Sequence, residues 1–580
     1  MSIKSKAVFL TVCIIPLHLL LTPVLLAQAP FTETPQQKEQ RMQWWQDARF
    51  GLFVHWGPCS VKGQGISWIR IGPRAFAHNL HGKIPMDIYD NLYKEFNPVK
   101  FDAEQWVQMM KDAGMKYIVF CTKHHDGFCN FDTKLTDYKI TSPLSPYGKD
   151  LTKQLADACH KAGIGLGFYY SPPDWHHPDC GRENHSRYIE FLHGQIRELC
   201  TNYGKVDIMW FDGLSGKVKD WDSVKLFELI HELQPGIIIN DRLDLNGDFS
   251  TPEHEVGAFN NTRPWESCIT IATSWAYKAD DKVKSAEKCM AILIKTVGGD
   301  GNLLLNVGPR PDGLIEPEQV KVLKQLGDWL KKYGESVYGT RGGPYKPGNY
   351  GACTSKNNVI YLHITSKADF ASKMPPLSRK IKKSELLTGG KVKVSQTSSE
   401  IKIDIPAENY NCLNTVVKLT LDGPASDILP ILVPSNSLAA FKEVTVSSFK
   451  DYCITCSGRN CVDDDITTAW FTNDKTESAW IEFDLGRDTK FNLVRINEAG
   501  PGWASRSNKF ELKYKKADSL DWQIIIKDEG IGTHYEKSFA PVTGRYVRLE
   551  IPEKGYFAPA INEFQLFYYE GYEKLKDLYY

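Results

Sequence analysis

Between residues 38 and 340 the chain repeats one pattern. A short, nearly unbroken apolar run ends in polar or aromatic residues and gives way to a stretch with apolar positions three and four apart. The runs are RFGLFVHWG (49–57), MKYIVFCTKHHDGF (115–128), IGLGFYYSPPDW (164–175), VDIMWFDG (206–213), GIIINDR (236–242), SCITIATSWAY (267–277) and GNLLLNVGP (301–309). Such runs predict strands buried on both faces. Between them AEQWVQMMKDAG (103–114), DLTKQLADACHKAG (150–163) and DSVKLFELIHEL (222–233) predict amphipathic helices that stop at Gly or Pro. Strands alternating with helices predict parallel βα units. Roughly seven units over about 300 residues predict a (β/α)8-like barrel, class α/β. No glycine-rich dinucleotide fingerprint follows the first run, which lowers the doubly wound alternative.

After about residue 340 the period changes to two. YKPGNYGACTSKNNVIYLHIT and KVKVSQTSSEIKIDIPA alternate apolar and polar residues between Gly, Ser and Asn turns. They predict a small antiparallel β-sandwich over 341–435. A second β-rich segment, 440–570, carries AWIEFDLGRDTKFNLVRINEAG, SNKFELKYKK, RYVRLEIPE and INEFQLFYYE, and its strand spacing predicts a jelly-roll sandwich. PASDILPILVPSNS (424–437) reads as the linker between the two.

Composition narrows the function. Lys plus Arg equals Asp plus Glu at 70 each, so the chain lacks the basic excess expected for a nucleic-acid partner or an anionic membrane surface. Aromatic residues make up 12%, which suits a neutral ligand such as a sugar. Residues 1–29 combine Lys4 and Lys6, an apolar stretch and Ala27-Gln28-Ala29, the pattern of a signal peptide cleaved after Ala29. Export to the periplasm or medium is expected, or to the lysosome in a eukaryote. No later segment is apolar enough to span a membrane. Thirteen cysteines remain after cleavage; Cys121, Cys159, Cys200 and Cys268 lie in apolar or helix-like stretches and read as small core residues. Cys453, Cys456 and Cys461 lack a second ligand pair at zinc-finger spacing and allow one disulfide among them.

The barrel reading makes the strand ends interesting, because active sites of such barrels lie at the C-terminal ends of the strands. Those ends carry His55, His124, His125, Tyr170, Asp212 and Arg242. Asp212 closes VDIMWFDG after two large aromatics and is the candidate nucleophile of a two-carboxylate glycosidase. Glu253, on a loop after GIIINDR, and Glu266, just before the next strand, are alternative proton donors, with Glu255 a weaker third. Trp56, Trp68, Tyr170 and Trp210 can offer faces to a sugar ring, with core packing at least as good a reading of Trp56. Adjacent histidines on a strand point to opposite faces, so one metal would not bind both His124 and His125 unless the backbone turns. No H-E-x-x-H occurs, and no metal is expected. A non-catalytic glycan-binding protein and a metal-dependent hydrolase stay as alternative classes.

HWGPCS, KHHDGF, YYSPPDW, WFDG, INDR, TPE, WE-x-C and GGDGNLLLNVGPRPDG, in this order over roughly 38–435, resemble the α-L-fucosidases of glycoside hydrolase family 29. The resemblance implies a retaining, cofactor-free exo-hydrolase acting on terminal α-L-fucose of an oligosaccharide or glycoconjugate. It puts the nucleophile on Asp212 and the acid/base on Glu253, with Glu266 as runner-up because that position varies in the family. Fucose contacts carry over to His55, His124, His125, Tyr170, Trp210 and Arg242, with Trp68 beside them. Many members have Glu-Trp where this chain has Ser67-Trp68; this departure and the C-terminal module look more like the subfamily preferring α-1,3/1,4-linked fucose on branched glycans. DDDITTAWFT, WIEFDLG, RYVRLEI and INEFQLF are similar to discoidin-like, family 32 carbohydrate-binding modules. There Trp503 and Arg506 are candidate ligand contacts, and a structural calcium ion is a candidate cofactor whose presence the sequence leaves open.

Overall fold

The computed structural model describes residues 31–71, 83–213, 220–451, 453, 456–500 and 504–570; residues 1–29 and Trp503 lie outside them. The first helix, α1 (Pro35–Ala48), starts at a capping box in which Thr34 and Gln37 bond each other's backbone N–H groups. Seven parallel strands follow. They are β1 (Phe50–Val54), β2 (Tyr117–Lys123), β3 (Gly165–Tyr170), β4 (Ile208–Phe211), β5 (Ile238–Ile239), β6 (Glu266–Thr270) and β7 (Asn302–Val307). Their order is β5-β4-β3-β2-β1-β7-β6. The helices between and after them are α2 (Met86–Tyr89), α3 (Ala103–Asp112), α4 (Leu151–Ala162), α5 (His185–Asn202), α6 (Ser223–Leu233), α7 (Ala286–Gly298) and α8 (Pro317–Tyr333). The gap between β5 and β6 is not left open. The stretch 249–253 fills it with single parallel bridges: Phe249 to Asn240 on one side, Ser250 to Trp265 and Glu253 to Cys268 on the other. Glu253 thus stands at the tip of a substitute eighth strand.

Successive side chains of a strand alternate between faces, and this splits the apolar residues in two. Phe53, Val119, Cys121, Tyr169, Ile208, Trp210, Phe249 and Leu304 fill the barrel interior. Leu52, Phe120, Phe168, Tyr170, Met209 and Phe211 meet the helices outside. Both sets are needed because helices cover every strand, which is why the runs are apolar at each position.

Two antiparallel sheets with a shared core follow the barrel. One has five strands, among them Gly351–Lys356, Val359–Ile364 and Thr415–Leu421; the other has three short ones. The last sandwich is built on two strands of 20 residues, Ala479–Glu498 and Tyr535–Lys554, that pair with each other across bulges and enclose a separate core. It is tied to the rest by Arg495–Asp369 (3.0 Å), Lys346–Asp465 (3.0 Å) and Asn349–Gln565 (2.9 Å). Cys453 and Cys456 are joined in a disulfide. Cys461 is buried and free, as are Cys121, Cys159, Cys200 and Cys268. No helix among the described residues is long and apolar enough to cross a membrane.

Two features of the last sandwich bear on ligands. Arg506 is occupied at home: it donates to the carbonyls of Ala499 and Ala558 and lies over the rings of Phe471 and Phe557. It braces loops and is not free for a sugar. Glu563, in contrast, is buried, and neither carboxylate oxygen meets a well-formed hydrogen-bond donor among the described residues. Burial, then repulsion from Asp464, Asp463 and Asp465, pushes its carboxyl well above the usual range, and the Asp464 backbone gives little relief.

Candidate active site

The parity that packs the barrel also aims its chemistry. Ile208 and Trp210 point inward, so Asp212, one step past the end of β4, points inward too. Gly213 follows at φ 74°, and a Cβ there would come within 2.4 Å of the His125 ring. Glycine is what lets the chain turn away and leave that imidazole beside the carboxylate.

Arg242, four residues beyond β5's first residue, reaches the same point. Its Nη1 donates to Asp212 Oδ1 at 2.6 Å and its Nη2 to Glu253 Oε2 at 3.2 Å. Nε and Nη2 also donate to Thr251 Oγ1 (3.0 Å) and Thr251 O (2.9 Å), and Trp210 lies under the guanidinium at 4.8 Å. With both edges and one face engaged, the planar cation is fixed. The three charged side chains are 20%, 22% and 19% exposed for Asp212, Arg242 and Glu253, so they meet at a cleft mouth and not in solvent.

The two carboxyls are driven apart electrostatically. Burial works to raise the Asp212 carboxyl, but Arg242, His125 and the hydrogen bond from Tyr169 outweigh it and hold the group below its ordinary value. At Glu253 burial dominates, Asp212 adds repulsion, and Arg242 only partly compensates, so the carboxyl is raised. The two carboxyls are thus shifted in opposite directions, Asp212 toward the ionised form and Glu253 toward the protonated one.

Around them stand three imidazoles. His55 Nδ1 bonds Asn306 Oδ1 at 2.7 Å, and burial pulls its pKa down to about 4. His124 Nδ1 bonds Ser67 Oγ at 2.7 Å; burial first, then His125 and His55, hold it neutral. His125 Nδ1 is within bonding distance of Ser171 Oγ, and its Nε2 lies 3.7 Å from Asp212 Oδ2. The neutral rings of His55 and His124, anchored through Nδ1, present Nε2 to a hydroxyl as donor or acceptor. Trp68, 43% exposed, forms the rim with Trp175, both 5.1–5.2 Å from His125.

Several expectations from the sequence are corrected here. The tyrosine of the site is Tyr169, not Tyr170. Tyr169 donates to Asp212 Oδ2 at 2.8 Å, while Tyr170 faces the helices and bonds Gln195 at 2.7 Å. One residue along a strand is the opposite face. Trp210 is 1% exposed beneath Arg242 and offers no face to a ligand. Trp56 packs outside the barrel on Phe96, Phe101 and Trp106. Glu266 sits at the start of β6, inside the barrel below Trp210, accepting from Trp210 Nε1 (3.2 Å), Trp45 Nε1 (3.3 Å) and Tyr117. Burial raises its pKa to about 7; it is a fully buried core acid held by three donors, with no path to a leaving group. Glu255, raised by burial, lines a neighbouring hollow with Asp241 and Trp265. Trp275 was missed: it lies 5.1 Å from both His55 and His254, on a turn with no periodic signal.

The histidine pair also departs from the strand argument. β2 ends at Lys123, the backbone turns, and both rings face the cleft with centroids 4.1 Å apart. His124, His125 and Asp212 therefore bring ligand atoms within 4.8 Å of one another. The donor set still does not suit a divalent cation. Arg242 already places a positive charge 2.6 Å from Asp212, and two of the ring nitrogens are taken by Ser67 and Ser171.

Two carboxyls bridged by an arginine, with imidazoles beside them at the C-terminal mouth of a barrel, are the arrangement of a glycoside hydrolase. Comparison with known proteins gives the family. The model for alpha-L-fucosidase matches residues 19–335, more than half of the chain, and the model for the F5/8 type C domain matches 443–564. The chain belongs to the alpha-L-fucosidase family and carries a discoidin-like domain at its C-terminal side. It is 30% identical over 378 residues to mouse tissue alpha-L-fucosidase, covering 60% of this chain and 80% of that one. Alpha-L-fucosidase isoenzyme 1 from Paenibacillus thiaminolyticus superposes with TM-score 0.59 at 35% identity, over 66% of this chain and 99% of that one. A fucosidase from Bacteroides thetaiotaomicron, trapped as a covalent intermediate with 2-fluoro-fucosyl fluoride, superposes with TM-score 0.60 at 28% identity, over 68% and 98%.

The face assignment is checked by a pair of variants. Tyr169→Phe removes a hydrogen bond to a charged group and should lower kcat/KM on an aryl fucoside about 10- to 100-fold. Tyr170→Phe should leave it within about threefold while lowering Tm, because its lost bond lies in the outer core.

Proposed function

We propose that the chain is an exported, retaining exo-α-L-fucosidase that prefers α-1,3/1,4-linked fucose on branched glycans. The single guanidinium spanning Asp212 and Glu253 carries the mechanistic part. Retaining pairs stand about 5–5.5 Å apart and inverting pairs about 6.5–9.5 Å; one planar cation gripping both carboxyls favours the short separation. The covalent intermediate trapped in the Bacteroides thetaiotaomicron relative supports the same reading.

Asp212 attacks the anomeric carbon as its bond to the glycosidic oxygen breaks, and the Glu253 proton passes to that oxygen. The leaving saccharide departs. Glu253, now a carboxylate, takes a proton from water, whose oxygen displaces Asp212 from the same carbon. Fucose leaves with its configuration kept, and both carboxyls return to their starting states. His55, His124 and His125 hold the hydroxyls, and Tyr169 and Arg242 hold Asp212 ionised and aimed.

The linkage preference rests on Ser67. Where many family members bring a carboxylate, this chain brings a short hydroxyl already committed to His124. The site gives up one strong hydroxyl contact to fucose and depends more on the rest of the glycan, which Trp68 at the rim is placed to meet. Export rests on the pattern of residues 1–29.

For the discoidin-like domain we propose a structural calcium ion with Glu563 as a ligand, because a buried carboxylate with no hydrogen-bond partner among the described residues, repelled by neighbouring aspartates, is a group a hard cation would satisfy.

Incubation with a Lewis-type branched oligosaccharide should release fucose faster than with a linear α-1,2-fucosylated one; the reverse order would refute the linkage assignment. Asp212→Ala should cost at least about 10³-fold in kcat with Tm retained. Glu253→Ala should cost about 10²- to 10⁴-fold on substrates with poor leaving groups and be rescued by azide, whereas Glu266→Ala should show no rescue. The pH profile of kcat/KM should be a bell. Its acid limb, set by the lowered Asp212, falls below the ordinary carboxylate range, and its alkaline limb, set by the raised Glu253, lies above it and vanishes in Glu253→Ala. Calcium should raise the Tm of the wild type but not of Glu563→Gln, read by calorimetry after chelator treatment.

A further inference from the structure

A cleft-like cavity of about 530 Å³, open to solvent on one side, lies where the barrel, the first sandwich and the discoidin-like domain meet, a volume typical of small-molecule sites. His254, Val256 and Gly257, directly after Glu253, form one wall. A second wall is α7, where Lys288, Ile292 and Lys295 fall four and three residues apart on one helix face. The discoidin-like domain supplies Arg495, Thr533 and His534 opposite.

The charges on these walls are unbalanced. Lys284 spends its ammonium on the carbonyls of Thr270 (2.6 Å) and Ala272 (2.7 Å), with no carboxylate. Lys288 and Lys295 have neither an ion pair nor a side-chain hydrogen bond among the described residues. The acids that act on Lys295 are Asp369 and Glu536, and both are bound to Arg495, at 3.0 and 2.5 Å. His534 is kept neutral, at about 3, by burial and then by Lys288, Lys295 and Arg495, and no acid offsets them. The carboxylates that also line the cavity act on each other: Asp464 and Asp465 on Glu563. Asp465 is neutralised by Lys346. Lys295 is half-buried with no carboxylate of its own, a cost that a bound anion would offset, and Lys288, which is exposed, adds a second positive charge to the same lining.

We propose that this cavity is a second binding site, taking an oxyanion (a sulfate ester or carboxylate) between Lys288, Lys295 and His534. The volume leaves room for the sugar unit that would bear the anion. The site is composite, since the lysines come from the barrel and the histidine from the discoidin-like domain. Its occupant would touch the segment that follows Glu253, through His254 and Gly257. The reading does not rest on fucose release, and its test contains no fucose.

The test is titration calorimetry on the full chain with N-acetylglucosamine 6-sulfate, unsulfated N-acetylglucosamine and sodium sulfate. The sulfated sugar should bind and the unsulfated one should not. A Lys288→Met/Lys295→Met variant should bind at least about tenfold more weakly, a difference of about 1.4 kcal/mol, with its Tm within a few degrees of wild type. Lys288→Arg/Lys295→Arg, which keeps both charges, should restore binding. Sulfate binding as tightly as the sulfated sugar, with the same lysine dependence, would support the oxyanion site and assign it to a free anion. Absence of heat with both anions on the wild type, or equal binding by the double Met variant, would overturn the proposal.

Discussion

Two carboxyl groups at the mouth of one barrel repel each other, and the rest of the site is arranged around the cation that lets them coexist. Arg242 carries one hydrogen bond to Asp212 and one to Glu253, so neither acid can drift without losing a charged bond. Placing a guanidinium there costs desolvation. The face of Trp210 and the two oxygens of Thr251 offset that cost and leave the group a single orientation. Trp210 is in turn fixed from below by Glu266. An acid that the sequence offers as a proton donor thus serves as a prop two layers down.

The same cation makes the two acids unequal. Asp212 receives the shorter bond and also Tyr169 and His125, and Glu253 receives only the longer one. Burial pulls both pKa values up, and only Asp212 has enough partners to reverse it. The opposite shifts of the two carboxyls follow from how unequally one arginine and its neighbours serve them.

The loop bearing Glu253 has its own double life. As a substitute eighth strand it closes the barrel between β5 and β6. Its continuation turns its back on the active site and lines the cavity shared with the C-terminal domain. Contacts such as Arg495–Asp369 and Lys346–Asp465 keep that domain seated. Glu253 therefore sits between the active-site cleft on one side and a composite cavity lined by both lysines and carboxylates on the other.

The order of apolar runs and amphipathic stretches was enough to read the barrel, because burial on both faces leaves an unambiguous mark on composition at each strand. Strand ends in a barrel converge, so His55, His124, His125, Asp212 and Arg242 could be gathered from motifs alone, with Glu253 from its resemblance. What stayed hidden was which way neighbours face. Tyr169 and Tyr170 are chemically identical in the sequence, and only the register pairing Tyr169 with Trp210 turns one to the cleft and the other to α5. Glu266 and Glu253 are both acids near strand ends; packing put one at the bottom of β6 under Trp210 and the other at the mouth. Trp275 and the cavity beside α7 come from chain segments far apart in sequence, and no periodicity within a segment records where another segment will land. Local pattern determined the elements and their tips; pairing register and domain packing decided which side chains share a space.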